Sequence, residues 1–166
     1  MDTIMLVIKD MTGNCTIKGF EKAIILQHFS HGVTLPLTGD AANTERTSGR
    51  PQFSEMSFSK MTDQSTPSLY NACAKGDKLG DAVVHIGRNE GGEFMLLMKY
   101  TLSNAMVSNI NTSGGGGGEP SDSFSINFTK ITSEFTQQNA DSSKKGTASF
   151  GWNLATNVPD AATKVA

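Results

Sequence analysis

The chain has 166 residues, enough for one hydrophobic core. Hydrophobic residues make up 37% and charged residues only 18%, while Gly, Ser and Thr supply 17 positions each, which argues against a helical bundle. Lys and Arg number 14 against 16 Asp and Glu, a formal charge of −2, so no basic footprint exists for nucleic acid and little charge opposes self-association.

The apolar residues fall in short runs, as in a β protein with polar loops, not a disordered chain. Ile4 to Ile8 is a continuous apolar run whose length and β-branching predict a buried strand. No basic residue precedes it and the run is short, so no signal peptide is visible; the chain is expected to mature in the cytoplasm. Nothing approaches the ~20 apolar residues of a membrane-spanning helix. After a turn region over 10–19, Phe20 to Val33 reads as one long strand stopped near Gly32. Thr34 to Pro51 is polar, holds two of the prolines and reads as a long loop, a length that is usually functional or disordered.

Phe53 to Met61 alternates, with Met56 and Phe58 on one face and Glu55, Ser57 and Ser59 on the other. A helix of about ten residues follows, with Thr66 as N-cap, Pro67 at the first helical position and Gly76 as left-handed stop. Leu69, Ala72 and Cys73 form its apolar face, joined by Tyr70; Cys73 is expected in the core. Ala82, Val84 and Ile86 mark the next strand, and Glu90-Gly91-Gly92-Glu93 a tight hairpin. Phe94 to Leu102 then alternates on one face, and a further strand runs from Asn104 to Ile110.

Residues 114–120 form a Gly-rich loop, with no Lys-Ser/Thr following as a phosphate cradle requires. Phe124, Ile126 and Phe128 share one parity while Ile131 and Phe135 take the other, which predicts a bulge or corner between Phe128 and Ile131. A polar loop over Gln137 to Gly146 precedes a last strand carrying Phe150, Trp152 and Leu154, and the tail 159–166 reads as loose. The sum is eight or so strands and one helix, a small barrel or sandwich.

Catalytic and metal-binding patterns do not emerge. His28 and His31 lie three apart on a strand, so they point to opposite faces and cannot share a metal. Cys15 and Cys73 fit no metal or redox motif, and no Gly-x-Ser-x-Gly elbow is present. No catalytic, cofactor or metal residue is assigned, and no enzyme activity is expected.

The stretch Phe53 to Arg88, FSEMSFSKMTDQSTPSLYNACAKGDKLGDAVVHIGR, resembles the Hcp (haemolysin-coregulated protein) family of the bacterial type VI secretion system. The apolar first strand, Phe29-Ser30-His31-Gly32, Phe58-Ser59-Lys60 ahead of Ser65-Thr66-Pro67, the loop ending in Gly118-Glu119, and Phe150-Gly151-Trp152-Asn153 support the likeness in order. The resemblance implies a mainly β fold over 1–158, a small antiparallel β-barrel of two packed sheets with one short flanking helix. It implies a homo-hexameric ring that stacks into the inner tube of a contractile machine. Partners are then the sheath, spike and baseplate proteins, with effector proteins in the lumen, and no nucleic acid or membrane insertion. Export would be by the machine itself, from a cytoplasmic store.

Two sets of candidate residues follow. If Phe29 packs inward, His28 and Ser30 share the opposite parity and face the lumen, in reach of cargo. The long loop 34–51 is a candidate arm, with Leu37, Asp40, Asn43, Glu45 and Arg46 as ring or stacking contacts. The alternative function is a small-ligand-binding β-barrel, against which the abundant Phe, Met, Ile and Leu speak by filling the interior.

Overall fold

The computed structural model describes residues 2–139 and 143–160. In chain order the elements are β1 (Asp2–Ile8), β2 (Ile24–Leu26), β3 (His28–Ser30), β4 (Val33–Thr34), β5 (Gln52–Phe53), β6 (Met56–Met61), α1 (Thr66–Lys75), β7 (Ala82–Glu90), β8 (Glu93–Ser103), β9 (Met106–Ser113), β10 (Ser121–Asn127), β11 (Lys130–Gln138), β12 (Lys144–Asn153) and β13 (Val158–Pro159).

Two antiparallel sheets make the body. One has seven strands in the order β13-β12-β11-β8-β7-β1-β2, the other four in the order β3-β6-β10-β9, and β4 pairs with β5 as a separate two-stranded ribbon. Between the two large sheets lies one apolar cluster. Leu6, Ile8, Ile24 and Leu26 come from the larger sheet, Met56, Phe58, Phe124 and Ile126 from the smaller, and Leu69 and Ala72 from α1. The expected mainly β architecture with one helix is present. Closure into a barrel is not: among the described residues no ladder joins the two large sheets, and the chain links them by changing sheets in mid-run.

The expected long strand over 20–33 is broken for that reason. Ile24 to Leu26 pairs with β1, whereas His28 to Ser30 pairs with β6, and the Gln27 N–H between them donates to Ser59 O at 2.8 Å. The chain changes sheet again from β8 to β9 across Asn104 and Ala105, and the corner predicted between Phe128 and Ile131 is a third such change, from β10 to β11. Both Phe128 and Ile131 are buried there, so the parity switch keeps apolar side chains on the core side of each sheet in turn.

Bulges explain other departures. Ile86 pairs with Met98 but Gly87 with Leu96, so Leu97 is the extra residue and the alternation expected from Phe94 to Leu102 reverses there. Phe94 consequently packs on the outer face of the larger sheet, beside Met5, Cys15, Ala23 and Phe20. A Cβ on Gly87 would stand 2.2 Å from Met95 O and 2.6 Å from the Phe94 ring, so this position has no room for a side chain. The segment 11–23 folds over the same face and buries Cys15; Cys73, expected in the core, is only half-buried at its margin.

The 137–146 region, expected as a loop, is mostly a hairpin end: β11 runs to Gln138 and β12 begins at Lys144, with 140–142 outside the described residues. Of the tail, 161–166 also lies outside them. The Gly91-Gly92 turn forms as expected, with Glu90 paired to Glu93 and positive φ angles of 60° and 87°.

The helix stops at Gly76 in the left-handed conformation, but Ser65, not Thr66, occupies its N-cap position. Thr66 is instead the first helical residue, and its hydroxyl belongs to a buried polar network. Lys60 is wholly buried, and its ammonium meets Asp122 Oδ2 and Asp63 Oδ1 at 2.8 Å each and Thr66 Oγ1 at 2.9 Å. Asp122, equally buried, also accepts from Thr66, from Thr62 Oγ1 at 2.9 Å and from Thr112 Oγ1 at 2.7 Å. Tyr70 OH donates to Thr112 Oγ1 at 3.0 Å. The network thus ties α1 to β6, β10 and β9. Burial pushes the Asp122 carboxyl up, but the hydrogen bonds from Lys60, Thr66, Thr112 and Thr62 outweigh it and hold the group at about 2, against an ordinary 3.8.

Asp122→Asn leaves Lys60 half-compensated in the interior, so a loss of about 3 kcal/mol is expected, read as a urea midpoint lowered by about 1–2 M. Since the folded carboxyl titrates below the unfolded one, its contribution is complete above the unfolded value of 3.8 and fades as pH falls towards about 2. Parent and Asp122→Asn stabilities are therefore expected to converge in acid by about 2–3 kcal/mol, measured by urea melts across that window.

Candidate functional site

The loop 34–51 is a hairpin arm. Val33 pairs with Phe53 and Thr34 with Gln52 at its root, and Leu37 bridges Thr47 further out. Thr38 N–H donates to Arg46 O at 2.7 Å and Ser48 N–H to Pro36 O at 3.1 Å. The tip is closed by its own side chains: Asp40 Oδ1 accepts from Ala42 N–H at 3.0 Å and Asn43 Oδ1 from Glu45 N–H at 3.1 Å. Glu45 accepts from Thr47 Oγ1 at 2.6 Å. All five arm residues singled out from the sequence are exposed; the side chains of Asp40, Asn43 and Glu45 also shape the arm, whereas Leu37 and Arg46 join its cross-links through their backbones.

One edge of the arm is apolar. Val33, Leu35 and Leu37 share a parity and remain 54%, 43% and 54% exposed. At the far end of the larger sheet is a second unsatisfied apolar surface. The parity that buries Ile131 continues to Phe135, and that of Trp152 to Phe150, yet these rings remain 49% and 45% exposed. Sequence reading placed Phe135 and Phe150 on core-facing stripes and did not mark them as surface; alternation alone does not tell where the opposing sheet ends.

His28 and Ser30 lie on the outer face of the smaller sheet, as their parity required. Phe29 between them packs against the core and on Tyr100, with ring centroids 5.7 Å apart. Register extends each residue into a row across four strands: Ser30, Ser57, Ser125 and Asn109 in one, His28, Ser59, Ser123 and Asn111 in the other. Ser57 and Ser125 hydroxyls lie 3.0 Å apart within the first row. Glu55 stands at the margin, accepting from Ser108 Oγ at 2.6 Å and Asn127 Nδ2 at 3.1 Å. The rows themselves carry hydroxyls, amides and one imidazole.

His31 takes the other parity. Its ring stacks on Phe53 at 6.1 Å and tilts against Phe128 at 5.8 Å. Phe53 in turn stacks on Phe150 and Trp152 at 6.4 and 6.3 Å. Among the described residues no group of three His, Cys, Asp or Glu side chains stands close enough to hold a metal. A cleft of about 580 Å³ opens between the end of β1, α1 and the 77–80 turn, lined by Lys9, Asp10, Asn71, Asp77 and Lys78. It lies on the surface, away from the space between the sheets where a ligand-binding barrel would hold its ligand.

This architecture is shared with type VI secretion proteins of known structure. A structure described as a type six secretion system protein superposes with a TM-score of 0.90 at 21% identity, covering 96% of this chain and 100% of the other. Hcp1 of Salmonella typhimurium gives 0.76 at 17% identity, covering 96% and 99%. Residues 5–135 match the family described as "Type VI secretion system effector, Hcp", and the chain belongs to that family. Protein hcp1 of Pseudomonas aeruginosa is 35% identical over 107 residues, 63% of this chain and 65% of the relative's length. Hcp proteins are structural tube proteins, not enzymes, and are secreted by the type VI system.

Phe135→Ser is expected to leave folding stability within about 0.5 kcal/mol, because the ring is half in water already. The same variant should weaken self-association, read by sedimentation velocity over a concentration series.

Proposed function

We propose that this chain is the subunit of a type VI inner tube, and that residues 1–158 are its assembling unit. Six copies close into a ring, rings stack into a tube, and the tube leaves with the spike when the sheath contracts on the baseplate. The chain waits in the cytoplasm and leaves without a cleaved signal peptide.

One observation beyond family membership carries the reading. The chain holds two different unsatisfied apolar surfaces, the Val33, Leu35 and Leu37 edge of the arm and the Phe135 and Phe150 end of the larger sheet. Unlike surfaces pair head-to-tail, and such contacts generate closed rings or open filaments. The arm's length and exposure suit it to reach a neighbour in the same ring or the next, with Leu37, Asp40, Asn43, Glu45 and Arg46 as the contact residues.

The two neutral rows through His28 and Ser30 are the proposed lumen wall. Hydroxyls and amides offer hydrogen bonds without fixed charge, which suits transient contact with varied effector proteins. A small-ligand-binding barrel is the competing reading, and nothing in the packed space between the sheets favours it.

Native mass spectrometry and negative-stain microscopy test the assembly. A six-fold ring is expected; a monomer carrying a small molecule would overturn the reading. Deleting 41–48 should abolish ring or tube formation while the body still folds. Ser30→Gln should assemble normally and retain less effector on co-purification; unchanged retention removes the cargo role from that face.

A further inference from the structure

His31 sits where the chain leaves the smaller sheet and enters the arm. Three contacts hold this root. Gly32 N–H donates to Ser54 Oγ at 2.9 Å and Ser54 N–H to Gly32 O at 2.9 Å, linking the outgoing and returning strands. Arg50, near the end of the arm, donates to Leu154 O at 3.1 Å. The third contact is the ring stack: His31 on Phe53, and Phe53 on Phe150 and Trp152. Phe53 belongs to the arm's returning strand, so the stack fastens the arm to the body.

The His31 ring is an odd member of that stack. Its Nε2 is buried and has no hydrogen-bond partner. A neutral imidazole tolerates this with one nitrogen unsatisfied; an imidazolium has a proton on both nitrogens and a charge shared between them, so its Nε2–H would have no acceptor to meet it. The side chains stacked on it are apolar, Phe53 from β5 and Phe128 from the corner after β10. The charged residues on these elements are engaged elsewhere. Arg50 is bonded to Leu154, Glu55 to Ser108 and Asn127, and Lys130 to Asp160 at 2.5 Å, while His28 lies on the opposite face of β3. Burial, with no opposing charge, lowers the His31 imidazole below its ordinary 6.5.

We propose that His31 is a pH-sensitive latch on the arm: neutral, it seats Phe53 and holds the arm to the body; protonated, it leaves the stack and frees the arm's root. The arm's part in joining copies rests on the tube reading above, but the latch itself is a property of one chain. Its sign follows from the lowered group. The seated form is favoured above about pH 6.5 and is lost as pH falls through the folded value.

The chain has one tryptophan, and it lies in the stack. Trp152 fluorescence and amide exchange of Gly32 and Ser54 are to be followed from about pH 7.5 to about pH 5. In the parent both should change together with a midpoint below 6.5, exchange relative to its base-catalysed intrinsic rate rising about tenfold for each unit by which burial lowers His31. His31→Phe should abolish the transition. His85→Gln, which removes another imidazole that burial lowers, should keep it. No transition in the parent, or an equal one in His31→Phe, overturns the latch. Should His31→Phe misfold, His31→Gln and direct NMR titration of the His31 ring replace it; a midpoint at or above 6.5 overturns the proposal. Ring counting at about pH 7.5 tests the tube reading separately, since the fluorescence transition does not require assembly.

Discussion

With its ammonium wholly out of water, Lys60 has to be neutralised by its surroundings, and those surroundings are drawn from across the smaller sheet and the helix. Asp122 comes from β10, Asp63 and Thr66 from the approach and first turn of α1, and Thr112 from β9 closes the shell around Asp122. An apolar side chain in the place of Lys60 would accept many arrangements of these strands. An ion pair accepts few, because each charge left unmet in the interior costs several kcal/mol. The pair therefore fixes where α1 lies on the sheet. Through Tyr70 and Thr112 it also sets the helix against β9, and the apolar core shared by both sheets and α1 closes over that arrangement.

Much of this was readable in the sequence, and the failures have definite causes. Lys60 falls in phase with Met56 and Phe58, so the same alternation that buried those two also buried the lysine; hydrophobicity alone hid it. Its partner Asp122 lies 62 positions further along in the register of β10, where no local pattern points back to it. The changes of sheet at Gln27 and after Phe128 divide differently. The later one announced itself as a parity switch between Phe128 and Ile131. The one at Gln27 leaves parity between Leu26 and Phe29 as a single skipped step, with the polar Gln27 and His28 between them, and reads as one strand.

The candidate sites show the same division. The outward parity of His28 and Ser30 followed from packing Phe29 inward, and register then supplied the six residues that complete the rows. The arm was visible only as a polar stretch too long to be an ordinary connection. Its hairpin form depends on cross-arm hydrogen bonds from Thr38 and Ser48 whose partners are set by the tip turn. The exposed Phe135 and Phe150 could not be separated from core residues because exposure there depends on how far the smaller sheet extends.

The arm leaves and rejoins the body through the same two-rung ladder, Val33 with Phe53 and Thr34 with Gln52. Nothing beyond that ladder is needed to form the core. Lengthening a loop between fixed ends is inexpensive, about 0.6 kcal/mol for each doubling. Residues added or removed in pairs beyond the ladder preserve which edge carries Val33, Leu35 and Leu37. The span of the arm can thus drift over generations while the body stays put, so copies of this fold can differ in what they touch without differing in how they fold.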